Sequence, residues 1–309
     1  MTAAVPESEL RRASARLTES YRAESTPKGM ATATDRLAYL AVRLPATFAA
    51  VRSALGEAAE RVYGFFPRTV LDLGAGPGTA VWAASEIFPS LSAAELVERD
   101  HGLIKVGQEI ATAAPEEWIR DARWHPGDLR TWNSAAKFDL VISSYAIGEL
   151  DMGERSKILR RAWESCSGIL VLVEPGTRKG FGTIASARDE LIALGAKLAA
   201  PCPHEMECPM KASGDWCHFS VRVERTAEHR RLKQGDLGYE DEKFSYVVFS
   251  RLPVNPAQSR VVRHPLRYGG HTKLQLCAAE GLKERTVTRS EKELYRKVKR
   301  TDWGSTWEE

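Results

Sequence analysis

The chain has 309 residues, 43% of them hydrophobic, enough for one large core or two modest ones. Its formal net charge of +3 singles out no partner, and no apolar run approaches the roughly 20 residues of a membrane span. The opening "MTAAVPESELRRASARL" carries Glu7 and Glu9 and has no apolar stretch, so it reads as neither secretory signal nor transit peptide. A soluble cytoplasmic protein is expected, with its five cysteines present as thiols, thiolates or metal ligands rather than disulfides.

Residues 1–66 predict a helical region. Leu37, Leu40, Ala41, Leu44, Phe48, Val51 and Leu55 recur at near-helical spacing, Asp35 suits a helix start, and Pro45 should kink or break the run. The "YRAESTPKGMATAT" stretch before them reads as a loop or hinge. From Thr69 the period changes. "TVLDLG", "AAELVERD", "FDLVISSYA" and "GILVLVEPG" are short apolar runs, separated by helical stretches at 79–88, 101–113 and 154–165. That alternation predicts a parallel sheet covered on both faces. A cysteine-bearing segment, a basic stretch "RVERTAEHRRLK" and a loop "QGDLGYEDE" come next. The strand "KFSYVVFSR", extended pieces around Gly269–Gly270, a charged helix and a loose aromatic tail complete the chain.

"VLDLGAGPGT" runs a strand into Gly74, Gly76 and Gly78 and then into a helix, a turn that lets a ligand approach the backbone. Asp72, just before the first glycine, would repel a pyrophosphate but suits the cationic amino acid end of S-adenosylmethionine. Glu98 ends the next strand, 20 positions after Gly78, where a carboxylate can take two ribose hydroxyls. Asp128 and Leu129 follow a third strand and suit the adenine. Together these features point to a class I methyltransferase fold, an α/β Rossmann-like parallel sheet, with nicotinamide binding as the alternative. The fourth strand should deliver Ser143, Ser144 and Tyr145 to the mouth of the site, Ser143 also touching the cofactor. Glu149 is either a general base or an exposed acid at a helix start. Neither an Asn/Asp-Pro-Pro-aromatic signature nor a Pro-Cys nucleophile stands at this strand, so the methyl acceptor is not legible. The expected division is 1–66 helical, 67–200 methyltransferase core, 201–238 cysteine-rich insertion, and 239–309 the end of that sheet, carrying Cys277, with a basic tail.

Cys202, Cys208 and Cys217 crowd into "PCPHEMECPMKASGDWCHF", with Cys277 far downstream. Four thiolates can close a tetrahedral zinc site or hold an iron–sulfur cluster, and their spacing alone names neither. His204, His218 and His271 are spare ligands, and a solvated loop with incidental cysteines is the plain alternative. Position after the fifth strand argues against Cys202 as a nucleophile, and Cys166 reads as a small buried hydrophobe.

"YRAESTPKGMATATDRLAYLAVRLPATFAAV", "VLDLGAGPGTA", "PCPHEMECPM", "DWCHFSVRV" and "GYEDEKFSYVVFSR" together resemble the mitoribosomal small-subunit methyltransferase-like family and its bacterial relatives. The resemblance spans nearly the whole chain and places it in the bacterial branch. It implies a methyltransferase core with an iron–sulfur module near its end, acting on or helping to assemble the small ribosomal subunit. The family's ligands carry over to Cys202, Cys208, Cys217 and Cys277, implying a structural [4Fe–4S] cluster ahead of Zn2+.

"GLKERTVTRSEKELYRKVKR" holds eight Lys or Arg residues, "RVERTAEHRRLK" five, and Arg260, Arg263 and Arg267 lie between. With Trp303 and Trp307, which either stack on bases or pin the tail, they suit RNA. The expected function is therefore an S-adenosylmethionine-dependent methyltransferase acting on small-subunit ribosomal RNA, a monomer with no membrane partner. A non-catalytic assembly factor and a small-molecule methyltransferase are the alternatives.

Overall fold

Three helices lead the chain. α1 (Glu7–Arg22) packs against α2 (Ala33–Val42), and α3 (Leu44–Arg61) follows after one intervening residue. The computed structural model describes residues 5–22, 32–233 and 237–309; the expected loop or hinge at 21–34 lies mostly outside them, and of its described ends 21–22 belong to α1 and 33–34 to α2. At the start of α2 the Thr32 hydroxyl accepts from Asp35 N at 3.1 Å and the Asp35 carboxylate accepts from Thr32 N at 3.2 Å, a reciprocal cap. Pro45 breaks the run as expected, in the first turn of α3 where its missing N–H has no partner to lose.

The core then alternates strands with helices. β1 (Thr69–Leu73), α4 (Thr79–Ile87), β2 (Ala93–Glu98), α5 (His101–Ala111), α6 (Glu117–Arg120) and β3 (Arg123–Pro126) form its first half. β4 (Phe138–Ser144), α7 (Met152–Ser165), β5 (Cys166–Pro175), α8 (Arg178–Ala193) and β6 (Lys197–Ala200) continue it. Beyond α9 (Pro209–Ala212), β7 (Phe219–Glu224) and α10 (Ala227–Lys233) lead into β8 (Tyr239–Ser250). The sheet runs β3-β2-β1-β4-β5-β8-β6, with β7 also on β8. β1 to β5 are parallel and β8 runs antiparallel to its neighbours, the class I methyltransferase arrangement with one added strand. Successive side chains point to opposite faces. Val70, Leu140 and Ile142 pack under α3 and α4, while Leu71, Val141 and Leu172 pack under α7 and α8.

Two boundaries differ from expectation. Segment 201–238 is no separate appendage: it supplies β7 to the main sheet and α10 to the N-terminal helices, and "YEDE" is strand rather than loop. Cys277 lies on a second sheet, not at the end of the first. β9 (Ser259–Val261), β10 (Leu266–Arg267), β11 (His271–Ala278), β12 (Gly281–Thr288) and β13 (Thr306–Trp307) build it in the order β10-β11-β9-β13, β12 pairing β11. α11 (Lys292–Val298) packs on it. The tail is not loose, because β13 pairs β9 and buries Trp307. No helix among the described residues is long and apolar enough to cross a membrane.

Candidate functional site

A pocket opens at the carboxyl ends of β1, β2 and β4. Gly74, Gly76, Glu98, Asp128, Leu129, Ser144, Tyr145 and Glu149 all border it. The loop after β1 needs glycine: Gly74 has φ +76°, and a Cβ there would stand 2.4 Å from the Cβ of Ala146. Glu98 fixes that loop, its two oxygens accepting from Gly76 N and Asp100 N, each at 2.8 Å. Asp128 accepts from Arg130 N at 2.8 Å.

Asp72 and Gly78 stand outside the lining. Gly78 closes the loop by donating to Ala75 O at 2.8 Å. Asp72 is fully buried and neither of its oxygens has a hydrogen-bond partner. Burial, and then the charge of Glu98, push its carboxyl up to about 8. Ser143 does not reach the pocket, correcting both roles expected of it. It is buried on the strand and donates its hydroxyl to Leu73 O at 2.9 Å. Glu149 is pushed up by burial and pulled back by Arg99, its ion-pair partner at 2.9 Å.

The roof of the pocket, and the carboxylate that holds the turn carrying Glu149, give no signal in the sequence. Leu17, Tyr39 and Thr47 of the N-terminal helices border the pocket. Their helical periodicity predicts packing but gives no sign of which face meets a ligand. Below, buried Glu174 accepts from Gly148 N at 3.0 Å and so holds the turn that carries Glu149; burial pushes it up to about 7.

Cys202, Cys208, Cys217 and Cys277 border a second cavity, walled by α8, β8 and the second sheet, with Arg188 and Arg260 beside them. Burial raises Cys202, Cys217 and Cys277; Cys277 reaches about 12, with the nearby Cys202 and Cys208 contributing. Among the described residues, no three His, Cys, Asp or Glu side chains are grouped to hold one metal ion. Four gathered thiols are what the geometry provides. Of the spare histidines, His204 reaches Cys277 at 3.8 Å, whereas His218 stacks on Trp216 and His271 on Tyr268. Cys166 is buried in the main core, apart from this group.

Many of the expected RNA-facing cations are engaged within the chain, and one of them, Arg260, is buried. Arg260 is 2% exposed and donates to Pro201 O at 3.1 Å, Gly304 O at 2.8 Å and Glu57 at 2.7 Å. Arg263 pairs with Asp215, and Arg267 donates to Thr301 O. Arg222, Arg225, Arg231 and Lys233 of the first basic stretch pair with carboxylates. Arg289, Lys292, Arg296 and Arg300 stay exposed, at or beside α11, with no carboxylate partner among the described residues. Trp307 pins the tail; Trp303 packs edge-on against His218 and His264.

The chain is similar to several known proteins. "Ribosome assembly protein METTL17, mitochondrial" from Homo sapiens is 29% identical over 289 residues, covering 87% of this chain and 61% of that protein. "Rsm22-cox11 tandem protein 2, mitochondrial" from Schizosaccharomyces pombe is 26% identical, covering 76% of this chain and 38% of that protein. The chain thus spans less than two thirds of either relative. Magnesium protoporphyrin IX methyltransferase from Synechocystis, solved with bound SAM, aligns with a TM-score of 0.44 at 13% identity, covering 81% of this chain and all of that one. The family described as "Mitochondrial small ribosomal subunit Rsm22" matches residues 33–308, from the first turn of α2 to the strand that closes the second sheet, and the chain belongs to that family.

Proposed function

We propose that the protein binds S-adenosylmethionine and methylates small-subunit ribosomal RNA, with a structural iron–sulfur cluster at its four gathered cysteines. Asp72 carries the cofactor reading. A buried carboxylate with no donor is unfavourable by about 1–3 kcal/mol or more, and the cationic amino group of the cofactor would supply donors and charge together. In this reading Gly74 and Gly76 hold the amino acid end, with Asp72, outside the lining, supplying negative charge through the loop, Glu98 the ribose, and Asp128 with Leu129 the adenine, while Gly78 shapes the loop. The bound cofactor supplies an electrophilic methyl group. The chain's own contribution is alignment, with Ser144 and Tyr145 bordering the acceptor side. Calorimetric titration with S-adenosylhomocysteine tests this: wild type binds, and Asp72→Ala loses at least tenfold in affinity.

A non-catalytic assembly factor is the second reading, supported by the pairing of Glu149, the candidate general base, with Arg99. If Asp72→Ala loses cofactor yet supports normal ribosome maturation, that reading replaces the first.

For the cysteines, a zinc–sulfur bond of about 2.3 Å would bring tetrahedral sulfurs within about 4 Å of one another. The four thiols border one cavity, and the buried guanidiniums of Arg188 and Arg260 beside them would offset the negative charge of an iron–sulfur cluster. Anaerobic purification should yield about four iron and four sulfide per chain. Stoichiometric zinc without iron would overturn the assignment. The setting we propose is bacterial and cytoplasmic, the protein monomeric and without a membrane partner; the curated relatives carry mitochondrial names.

A further inference from the structure

Two conspicuous sequence stretches meet at one ion pair. Arg43, the residue joining α2 to α3, donates through both terminal nitrogens to Glu242 of β8, at 3.1 and 3.0 Å. The same carboxylate accepts from the Tyr145 hydroxyl at 3.0 Å. Both members of the pair are about nine-tenths covered. Such a fork is directional and little screened by solvent.

Tyr145 is unusual in its own right. It is the one residue other than glycine with positive φ (56°) among the described residues. Its amide donates to Val173 O at 2.8 Å, so the chain turns sharply as it leaves β4 and the ring is delivered to the pocket wall. A non-glycine residue in this region is sterically disfavoured and persists where its surroundings over-determine it. On the opposite side, Tyr39 and Thr47 of the roof stand four residues before and after Arg43, and both border the same pocket.

We infer that Arg43, Glu242 and Tyr145 form a latch that closes the helical roof onto the β4 exit, with Tyr145 as a positioning residue for the ligand held between them. That the ligand is S-adenosylmethionine rests on the function proposed above; the latch itself rests on the three side chains.

The test uses the full chain. Tyr145→Phe keeps the ring and removes the bond, and Glu242→Gln keeps the shape and removes the charge. Each should weaken S-adenosylhomocysteine binding about five- to twentyfold, with the double variant well short of the product of the two, because both act through the same carboxylate-centred network. Amide hydrogen exchange without ligand should rise together at residues 36–47 and 144–150 in Glu242→Gln and stay unchanged in β1. Binding within twofold of wild type in both variants, or exchange rising in one segment only, would overturn the latch. If wild type itself does not take S-adenosylhomocysteine, the cofactor reading fails instead, and the exchange pattern still decides the latch.

Discussion

Burying a carboxylate without donors opposes folding, and Asp72 does so beside the glycine loop. Its pH dependence follows from the direction of the shift. With the carboxyl raised from 3.8 to about 8, its contribution to stability is intact below about pH 4 and is lost as pH rises through about 8. Asp72→Asn, which cannot ionise, should therefore melt above wild type without ligand, by a margin that grows from pH 4 to pH 8. Thermal scans across that range check it; a gap independent of pH would refute the assignment. At this scale residue type was a partial guide. Order and spacing singled out Gly74 and Glu98, which the structure brings to the pocket, and Asp72, which it buries behind the lining. Ser143 and Arg260 did not, because a hydroxyl or guanidinium reads the same in the sequence whether it meets a ligand or a backbone carbonyl.

The main sheet was legible element by element. Continuous apolar runs such as "ILVLV" mark strands buried on both faces, and the intervening helices carry the matching stripes. The second sheet was not. β9, β10 and β13 contain three, two and two residues, too few for a period, and their pairing joins positions as distant as Arg260 and Thr306. Only the glycine pair before β11 signalled a hairpin. The same pairing makes the tail structural: Trp307 is 1% exposed and packs with Val261, Leu274 and Leu276. Trp307→Ala should lower stability by about 3–5 kcal/mol in denaturant titration, with exchange rising first in β9 and β11. A loss under about 1 kcal/mol would mean the tail is only laid on the surface.

For the whole molecule, the gathered thiols lie where the main sheet meets the second one, so the long sequence gap before Cys277 is a short distance in space. The exposed cations sit on the second sheet's side, at or beside α11. Lys292→Gln with Arg296→Gln should weaken binding to small-subunit RNA and flatten the logarithmic salt dependence by about two charges' worth. Filter binding at several salt concentrations measures it, and an unchanged slope would move the contact elsewhere. Arg260 adds a practical consequence. Its three partners come from α3, the entry to the cysteine segment and the turn before β13, so one side chain knots together stretches more than two hundred positions apart. A shortened version ending near residue 300 would lose the Gly304 carbonyl and leave a guanidinium partly unmatched in a dry interior. Trimming for crystallisation, or a fusion that pulls on the last ten residues, would disturb the wall of the thiol cavity from a distance.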